Sequence, residues 1–338
     1  MRGVRLAVAV VVAGLLVGGT GAPAGACACG GIVSTDLDAR VTGEQALLAM
    51  NGRTETIIMR LDVDSVADNA ALIVPTPAPA TVTQAGPGLF PELERLTAPR
   101  VEPGRTRGTD IDTAAAAGAP PIVVAQVQLG PLEATTLSGG DLSGVRRWLD
   151  SHGYTLRPEV SAQLEPYLRQ DWSFVAMRLT GSAPLSGQLD PVRMDFAAEA
   201  MVYPMRMSAA ARDPQRVVIY TLAPHRMQRD DADVARQDVT LDFAGALGTG
   251  VTDPTLIELS TGNPYLTRIS TVITDPAAIT TDFTFRRAPN DDSYRRVISP
   301  PQPPEPASPL GAIVITSVVA VALAGALVAV LLFRRRSP

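Results

Sequence analysis

The order of apolar and polar positions divides the chain into an apolar head, a long alternating middle and an apolar tail. The tail is the strongest pattern, with no charged residue from Leu310 to Phe333. At about 1.5 Å of helical rise per residue this stretch exceeds the roughly 30 Å of hydrocarbon in a bilayer, which predicts one transmembrane helix at 310–333. A buried core helix is the competing reading, but such helices rarely exceed about 14 wholly apolar residues. Arg334, Arg335 and Arg336 follow directly. Basic residues beside a span resist translocation, so the 334–338 tail is expected in the cytoplasm and everything before Leu310 outside. The head, 1–26, has Arg2 and Arg5, an apolar run from Leu6 to Val17 and small residues ending Ala24-Gly25-Ala26. That is the pattern of a secretory signal peptide, and its apolar core is short for a retained anchor. Cleavage after Ala26 would leave Cys27 as the mature N terminus.

Period two dominates the middle. Ala46 to Met50 leads into Asn51-Gly52, expected to supply the positive-φ pair of a type I′ turn. Ile57, Met59, Leu61 and Val63 then alternate with Ile58, Arg60, Asp62 and Asp64, which predicts a half-buried strand with a mostly charged outer face. Further strands are expected at Ala70–Val74, ended by Pro75-Thr76-Pro77-Ala78-Pro79, and at Ile122–Leu129, Leu132–Leu137 and Trp172–Leu179. Others follow at Val192–Phe196, Met201–Met207, Arg216–Leu222, Val239–Phe243 and Tyr265–Thr274. Helical spacing appears in a short segment from Pro91 with Leu93 and Leu96, and in two longer ones. Asp141 can cap the first, whose Leu142, Val145, Trp148 and Leu149 share a face before His152-Gly153 stops it. The second starts at Pro158 and carries Val160, Leu164, Tyr167 and Leu168. The expected fold is α+β: an antiparallel β-rich ectodomain over 27–298 with a two-helix insertion, plus one C-terminal transmembrane helix. An internal boundary is expected near 103–121, where periodicity lapses, and a proline-rich spacer at 299–309 extends about 3.1 Å per residue.

Charge narrows the function classes. The chain carries a net charge of −5 and no lysine. With five arginines in the head and tail, the ectodomain and its spacer, 27–309, hold 24 arginines against 34 carboxylates, a net charge of −10. Nucleic-acid and anionic-lipid binders show a basic face, so no nucleic-acid partner is expected.

The candidate chemistry is sparse. Cys27 and Cys29 are the only cysteines and form the candidate disulfide in an oxidising compartment, closing a tight loop. Lipidation of Cys27 stays open, although the usual lipobox has an aliphatic residue where this chain has Ala24. A zinc ion there would be about two ligands short. Asp62 and Asp64 point the same way and read as a solvated strand face rather than a cation site. The run Asp230, Asp231, Asp233, Asp238 and Asp242 lacks the spacing and glycine of an EF-hand loop, and reads as a solvated turn. Trp148, Tyr154, Tyr167 and Trp172 would serve a sugar- or peptide-binding platform, but core anchoring is the simpler reading. The histidines are His152, at a helix end, and His225, after Pro224. Neither belongs to a nucleophile, metal or phosphate motif. No catalytic, cofactor-binding or metal residue is assigned, and no cofactor is expected.

One resemblance adds to this. The stretch Arg147-Trp148-Leu149-Asp150-Ser151-His152-Gly153-Tyr154, followed by Asp171-Trp172-Ser173-Phe174-Val175-Ala176-Met177-Arg178-Leu179, resembles the bacterial family called domain of unknown function 2330. Cys27-Ala28-Cys29-Gly30-Gly31, Ala71-Leu72-Ile73-Val74-Pro75-Thr76-Pro77, Val202-Tyr203-Pro204-Met205-Arg206 and Tyr265-Leu266-Thr267-Arg268 fit it too. The likeness spans nearly the whole ectodomain. It implies export or membrane attachment and offers no catalytic residues to carry over. The expectation is a single-pass cell-surface protein serving as a binding or structural interaction module, with the membrane and a protein or cell-envelope component as partners. The alternative is an extracytoplasmic hydrolase whose carboxylates meet only in space.

Overall fold

The computed structural model describes residues 31–34, 40–65, 69–101, 126–129, 132–137, 142–154, 156–180 and 186–298. The head and tail segments, Cys27, Cys29, Asp141, the 103–121 boundary and the 299–309 spacer lie outside the described residues. Among the described residues, no helix is long and apolar enough to cross a membrane.

In chain order the first elements are β1 (Gly31–Ser34), β2 (Arg40–Asn51), β3 (Thr54–Asp64), β4 (Asn69–Thr76), β5 (Thr81–Gln84), α1 (Leu89–Thr97) and β6 (Arg100–Val101). β7 (Gln126–Leu129) and β8 (Leu132–Leu137) precede the helices α2 (Leu142–Ser151) and α3 (Pro158–Arg169). Then come β9 (Ser173–Thr180), β10 (Ser186–Gln188), β11 (Val192–Ala197), β12 (Val202–Tyr203) and a 3₁₀ turn at Arg206–Ala210. The chain continues through β13 (Gln215–Ala223), β14 (Met227–Arg229), β15 (Asp238–Ala246), α4 (Pro254–Ser260), β16 (Tyr265–Ile273), β17 (Phe283–Arg287), β18 (Tyr294–Arg295) and β19 (Val297–Ile298). Two compact units result. The smaller contains the short parallel pair β6 and β19.

The larger unit is built in layers. A nine-stranded sheet runs β18-β15-β16-β13-β2-β3-β11-β5, with β10 added to β3, and a five-stranded sheet runs β1-β4-β9-β8-β7. Between them lies the main core, where Ala46, Leu48, Ile57 and Met59 of the large sheet meet Leu72, Val74, Val175 and Met177 of the smaller one. The outer face of the large sheet, with Leu47, Ile58, Tyr220 and Leu222, is covered by Leu89, Phe90 and Leu93 of α1 and by Leu256 and Leu259 of α4. The outer face of the smaller sheet, with Ala71, Ile73 and Phe174, is covered by Val145 and Leu149 of α2 and Val160 and Leu164 of α3. The order is helices, sheet, sheet, helices, so the expected α+β class and two-helix insertion are present. Apart from β6 and β19, the described pairings are antiparallel save one, β2 against β13.

Four local expectations are corrected. β3 is buried on both faces, not one, because α1 and α4 cover the face that carries Ile58 and Arg60. Arg60 is accommodated there by Glu94 at 2.7 Å and by the Phe90 ring, 4.8 Å from its guanidinium carbon. At the β2–β3 hairpin Asn51 pairs with Thr54, so the two loop residues are Gly52 and Arg53, and only Gly52 has positive φ, at 62°. The expected I′ pair is therefore a glycine-first loop. β4 runs through Pro75, which faces Phe174 of β9. The described pairing of β4 with β1 reaches only Ile73, so among the described residues no ladder on that side asks Pro75 for an N–H. Finally, 201–207 is not one strand: β12 stops at Tyr203, Pro204 intervenes and a 3₁₀ turn follows.

The layering sets a contrast between isoleucines. Ile57 is fully buried in the main core and Ile257 on α4 is half exposed. Ile57→Ala should cost about 2–5 kcal/mol, whereas Ile257→Ala should stay within about 0.5 kcal/mol, both read from urea midpoints. Equal effects would contradict the burial of Ile57 between the two sheets.

Candidate functional site

The site is assembled from two chain ends that the local sequence stops abruptly. Helix α3 ends with the N–H of Asp171 bonded to Leu168 O (3.1 Å) and that of Trp172 bonded to Tyr167 O (3.1 Å). This is the paired closure of a Schellman motif, which needs a left-handed residue at its turn. Asp171 takes that role at φ 57°, the only non-glycine residue with positive φ among the described residues. The turn folds Trp172 back over its own helix, and its ring centroid comes 5.0 Å from that of Tyr167. The same motif closes α2, where Gly153 has φ 80° and the Tyr154 N–H reaches Leu149 O (2.9 Å).

The second stop is Pro204, which lacks the N–H a continuing strand would use. The chain turns into the 3₁₀ segment, and Asp282 receives it: its Oδ1 accepts from Met205 N (2.8 Å), Arg206 N (3.0 Å) and the Tyr167 hydroxyl (2.5 Å). Its Oδ2 accepts from Arg206 Nε at 2.8 Å. The Arg206 guanidinium also donates to Gln170 Oε1 (3.1 Å) and lies 4.2 Å from the Tyr167 ring centre. Asp282 thus joins α3, the 3₁₀ turn and the start of β17 in one buried node.

Around this node is an open cleft of about 340 Å³, lined by Trp172, Gln170 and Arg206 on one side and by Asp231, Thr281 and Thr284 among others. Asp231 is closed off by Arg229, through Nε to Oδ2 at 2.9 Å and Nη2 to Oδ1 at 2.7 Å, with both side chains almost fully buried. Arg229 also donates to Thr271 Oγ1 and Gln237 Oε1, and its guanidinium carbon lies 3.3 Å from the Phe283 ring centre. Each carboxylate on the cleft wall therefore has its own arginine. The Thr281 hydroxyl is buried without a hydrogen-bond partner. Behind Val202, and not part of the cleft lining, the fully buried Glu55 accepts from the Val202 N–H at 3.0 Å through one oxygen, while the other has no partner.

Electrostatics follow from burial. Desolvation pushes the Glu55 carboxyl well above its ordinary value, and the single Val202 N–H offsets only part of this. Burial, reinforced by the Asp282 carboxylate, holds the Tyr167 phenol well above its usual range. Burial alone would lower the Arg206 value, but Asp282 outweighs it and keeps the guanidinium charged. The Tyr167 and Arg206 shifts keep the phenol protonated and the guanidinium charged, so neither exchanges protons with a ligand in the cleft.

The residues singled out from the sequence distribute unevenly. Tyr154 and Tyr167 are buried core anchors, as expected, while Trp148 and Trp172 are half-buried. Trp172 alone of the four lines the cleft. The acidic run is corrected in part: Asp230 and Asp238 are exposed, as expected, but Asp231, Asp233 and Asp242 are buried, not solvated. Asp233 accepts from the N–H groups of Thr280 (2.7 Å) and Thr281 (2.9 Å), and Asp242 pairs with Arg296 at 3.2 Å. Burial raises the Asp233 value, but the Thr280 and Thr281 donors outweigh it and leave it lowered. Asp62 and Asp64 are half-buried, with Asp62 accepting from Gln188 at 3.3 Å. Among the described residues, no group of three or more His, Cys, Asp or Glu is placed to hold a metal ion. His152 Nδ1 sits 2.7 Å from Trp148 O with its ring on the Trp148 ring. His225 Nδ1 is 2.8 Å from Asp291 Oδ2 at the surface, away from the cleft lining. Arg206, Asp282 and the threonines were not singled out for chemistry, because segments about 30 to 110 residues apart in sequence meet there and no linear spacing reports it.

A family model described as "uncharacterized protein conserved in bacteria (DUF2330)" matches residues 23–286. No curated protein matches the chain. Among solved structures, the crystal structure of baculovirus P35 aligns at 10% identity over 73% of this chain and 98% of that chain, with a TM-score of 0.36.

Two measurements check the site. Asp231→Ala strands the Arg229 charge in the interior and should cost about 3–5 kcal/mol, while a volume-matched apolar replacement of both partners should recover much of that loss. For Glu55 the folded carboxyl binds its proton more tightly than the unfolded one, so its contribution is full below about pH 4.5 and is lost as pH rises through the raised folded value. Comparing urea midpoints of Glu55→Gln and the parent at several pH values should show the parent falling relative to the variant above pH 4.5. A constant difference would refute the burial-driven shift.

Proposed function

The chain belongs to the DUF2330 family of proteins conserved in bacteria, and from that premise we propose that it is a membrane-anchored, extracytoplasmic binding module of the cell envelope. One observation favours binding over hydrolysis: Asp231 and Asp282, the carboxylates on the cleft wall, are each closed by a guanidinium. A glycosidase-type or other acid–base hydrolase needs a carboxyl group free to pass a proton to the substrate. A carboxylate saturated by an arginine is a positioning group, and the cleft it shapes holds ligands without attacking them. In this reading the signal peptide at 1–26 exports the chain, the span at 310–333 retains it and the 334–338 tail stays in the cytoplasm. Cys27 and Cys29 then sit at the exported mature terminus, where a disulfide is chemically permitted.

Topology and activity are tested together. Green fluorescent protein fused after Pro338 should fluoresce, and alkaline phosphatase at the same point should be inactive; the reverse pattern would sink the anchored reading. The detergent-solubilised full chain should retain isolated cell-wall polymer on a column without shortening it. Release of soluble fragments in proportion to the amount of protein would replace the module with the hydrolase.

A further inference from the structure

We propose that the cleft beside Trp172 is a saccharide subsite that takes one uncharged, hydroxyl-rich ring; the inference rests on the binding-module reading and names its ligand class. The cleft's roughly 340 Å³ lies at the small end of the roughly 300–1,000 Å³ typical of small-molecule sites, which suits a single ring or the end of a short glycan.

Charge selects against ions. Arg206 is occupied by Asp282 and Gln170, and Asp231 by Arg229. An anionic ligand would meet an Arg206 guanidinium whose charge the largely buried Asp282 already balances, and a cationic one would have to take Asp231 from Arg229. The first gains little net attraction, and the second leaves a desolvated arginine without its partner, which is a heavy penalty. A neutral ligand disturbs neither pair.

What is left free on the walls matches hydroxyl groups, which both donate and accept. The Trp172 indole N–H makes no hydrogen bond among the described residues, and the Gln170 side chain uses its oxygen on Arg206, leaving its amide N–H groups available. Thr284 donates its hydroxyl hydrogen to Asp230 (2.7 Å), which turns the oxygen lone pairs outward as acceptors. Thr281, whose hydroxyl has no hydrogen-bond partner, stands on the same wall. The apolar C–H face of a sugar needs a flat, rigid partner, and Trp172 supplies it. Packed at a tilt against Tyr167 and fixed by the left-handed Asp171 turn, the indole loses little freedom when a ring settles on it.

The test exploits the presence of only two tryptophans, Trp148 and Trp172. In the full chain carrying Trp148→Phe, held in a sugar-free detergent such as lauryldimethylamine oxide, all indole emission reports Trp172. Titration with glucose, galactose, mannose, N-acetylglucosamine and their disaccharides should give a saturable emission shift with at least one of them. Ligand-observed NMR should show that sugar's affinity falling at least tenfold in Trp172→Ala and severalfold in Gln170→Ala, while Trp172→Phe retains most of it. Gln170 is exposed, so its variant reads binding without a folding defect. Absence of a saturable response to every neutral sugar in the folded chain would overturn the proposal, as would undiminished binding by Trp172→Ala or saturable binding of inorganic phosphate alone. If the sugars fail while the chain still retains cell-wall polymer intact, the subsite falls and the binding module stands. If the chain instead degrades the polymer, the module reading itself falls.

Discussion

Burial of the β2–β3 hairpin on both faces is the constraint from which the rest of the larger unit follows. Side chains along a strand alternate between faces, and here both sets are apolar: Ala46, Leu48, Ile57 and Met59 on one, Leu47, Ala49 and Ile58 on the other. A single covering layer would leave one set in water. The smaller sheet answers the first set and the α1–α4 layer answers the second. The smaller sheet then inherits the same problem on its own outer face, and α2 with α3 closes it. Four layers are the shortest solution for a chain whose central strands are apolar on both sides.

Polar groups inside such a stack must bring their own partners, and the arrangement of those partners decides where the chain is pinned. Arg60 lies under α1, so Glu94 of α1 meets it, and Gln45 joins them at 2.8 Å from Glu94. Glu92 of the same helix turns the other way and accepts from the N–H groups of Thr252 (2.7 Å) and Asp253 (2.6 Å), which seats the start of α4. Asp253 in turn caps α4 through Leu256 N at 3.0 Å. Tyr203 reaches Glu44 across the core. Desolvating such groups costs much of what their mutual attraction returns, so their effect is less to add stability than to penalise any other placement of the helices.

The sequence was informative for most elements whose signal is local. The α2 and α3 helices, the β8 and β13 strands and the glycine stop after His152 all arise from spacing within a few residues. So does the two-helix insertion. Where a neighbour distant in sequence decides, the pattern misleads. Ile58 and Arg60 could not announce the helices above them. Asp233 looked like part of a solvated run because its ligands, Thr280 and Thr281, come nearly fifty residues later. One further local signal is present: Asp253-Pro254 ahead of Leu256 and Leu259 is a capped helix start, and α4 begins there. The cleft belongs to the other class, since no window of the chain contains more than part of it.

That separation explains why the cleft is rigid rather than adaptable. Trp172 is held from below by Tyr167, whose hydroxyl is fixed by Asp282, which also receives the 3₁₀ turn carrying Arg206. Moving any one wall therefore breaks hydrogen bonds to the other two. Asp171 keeps its left-handed backbone at a cost of order 1 kcal/mol for a residue other than glycine. A conformation of that kind persists only where the surrounding contacts over-determine it, and here they are the ones that aim the indole into the cleft. A pocket preformed in this way loses little on closing around a ligand. Because its charges are already satisfied, what it can still offer a ligand is shape, an aromatic face and neutral hydrogen bonds.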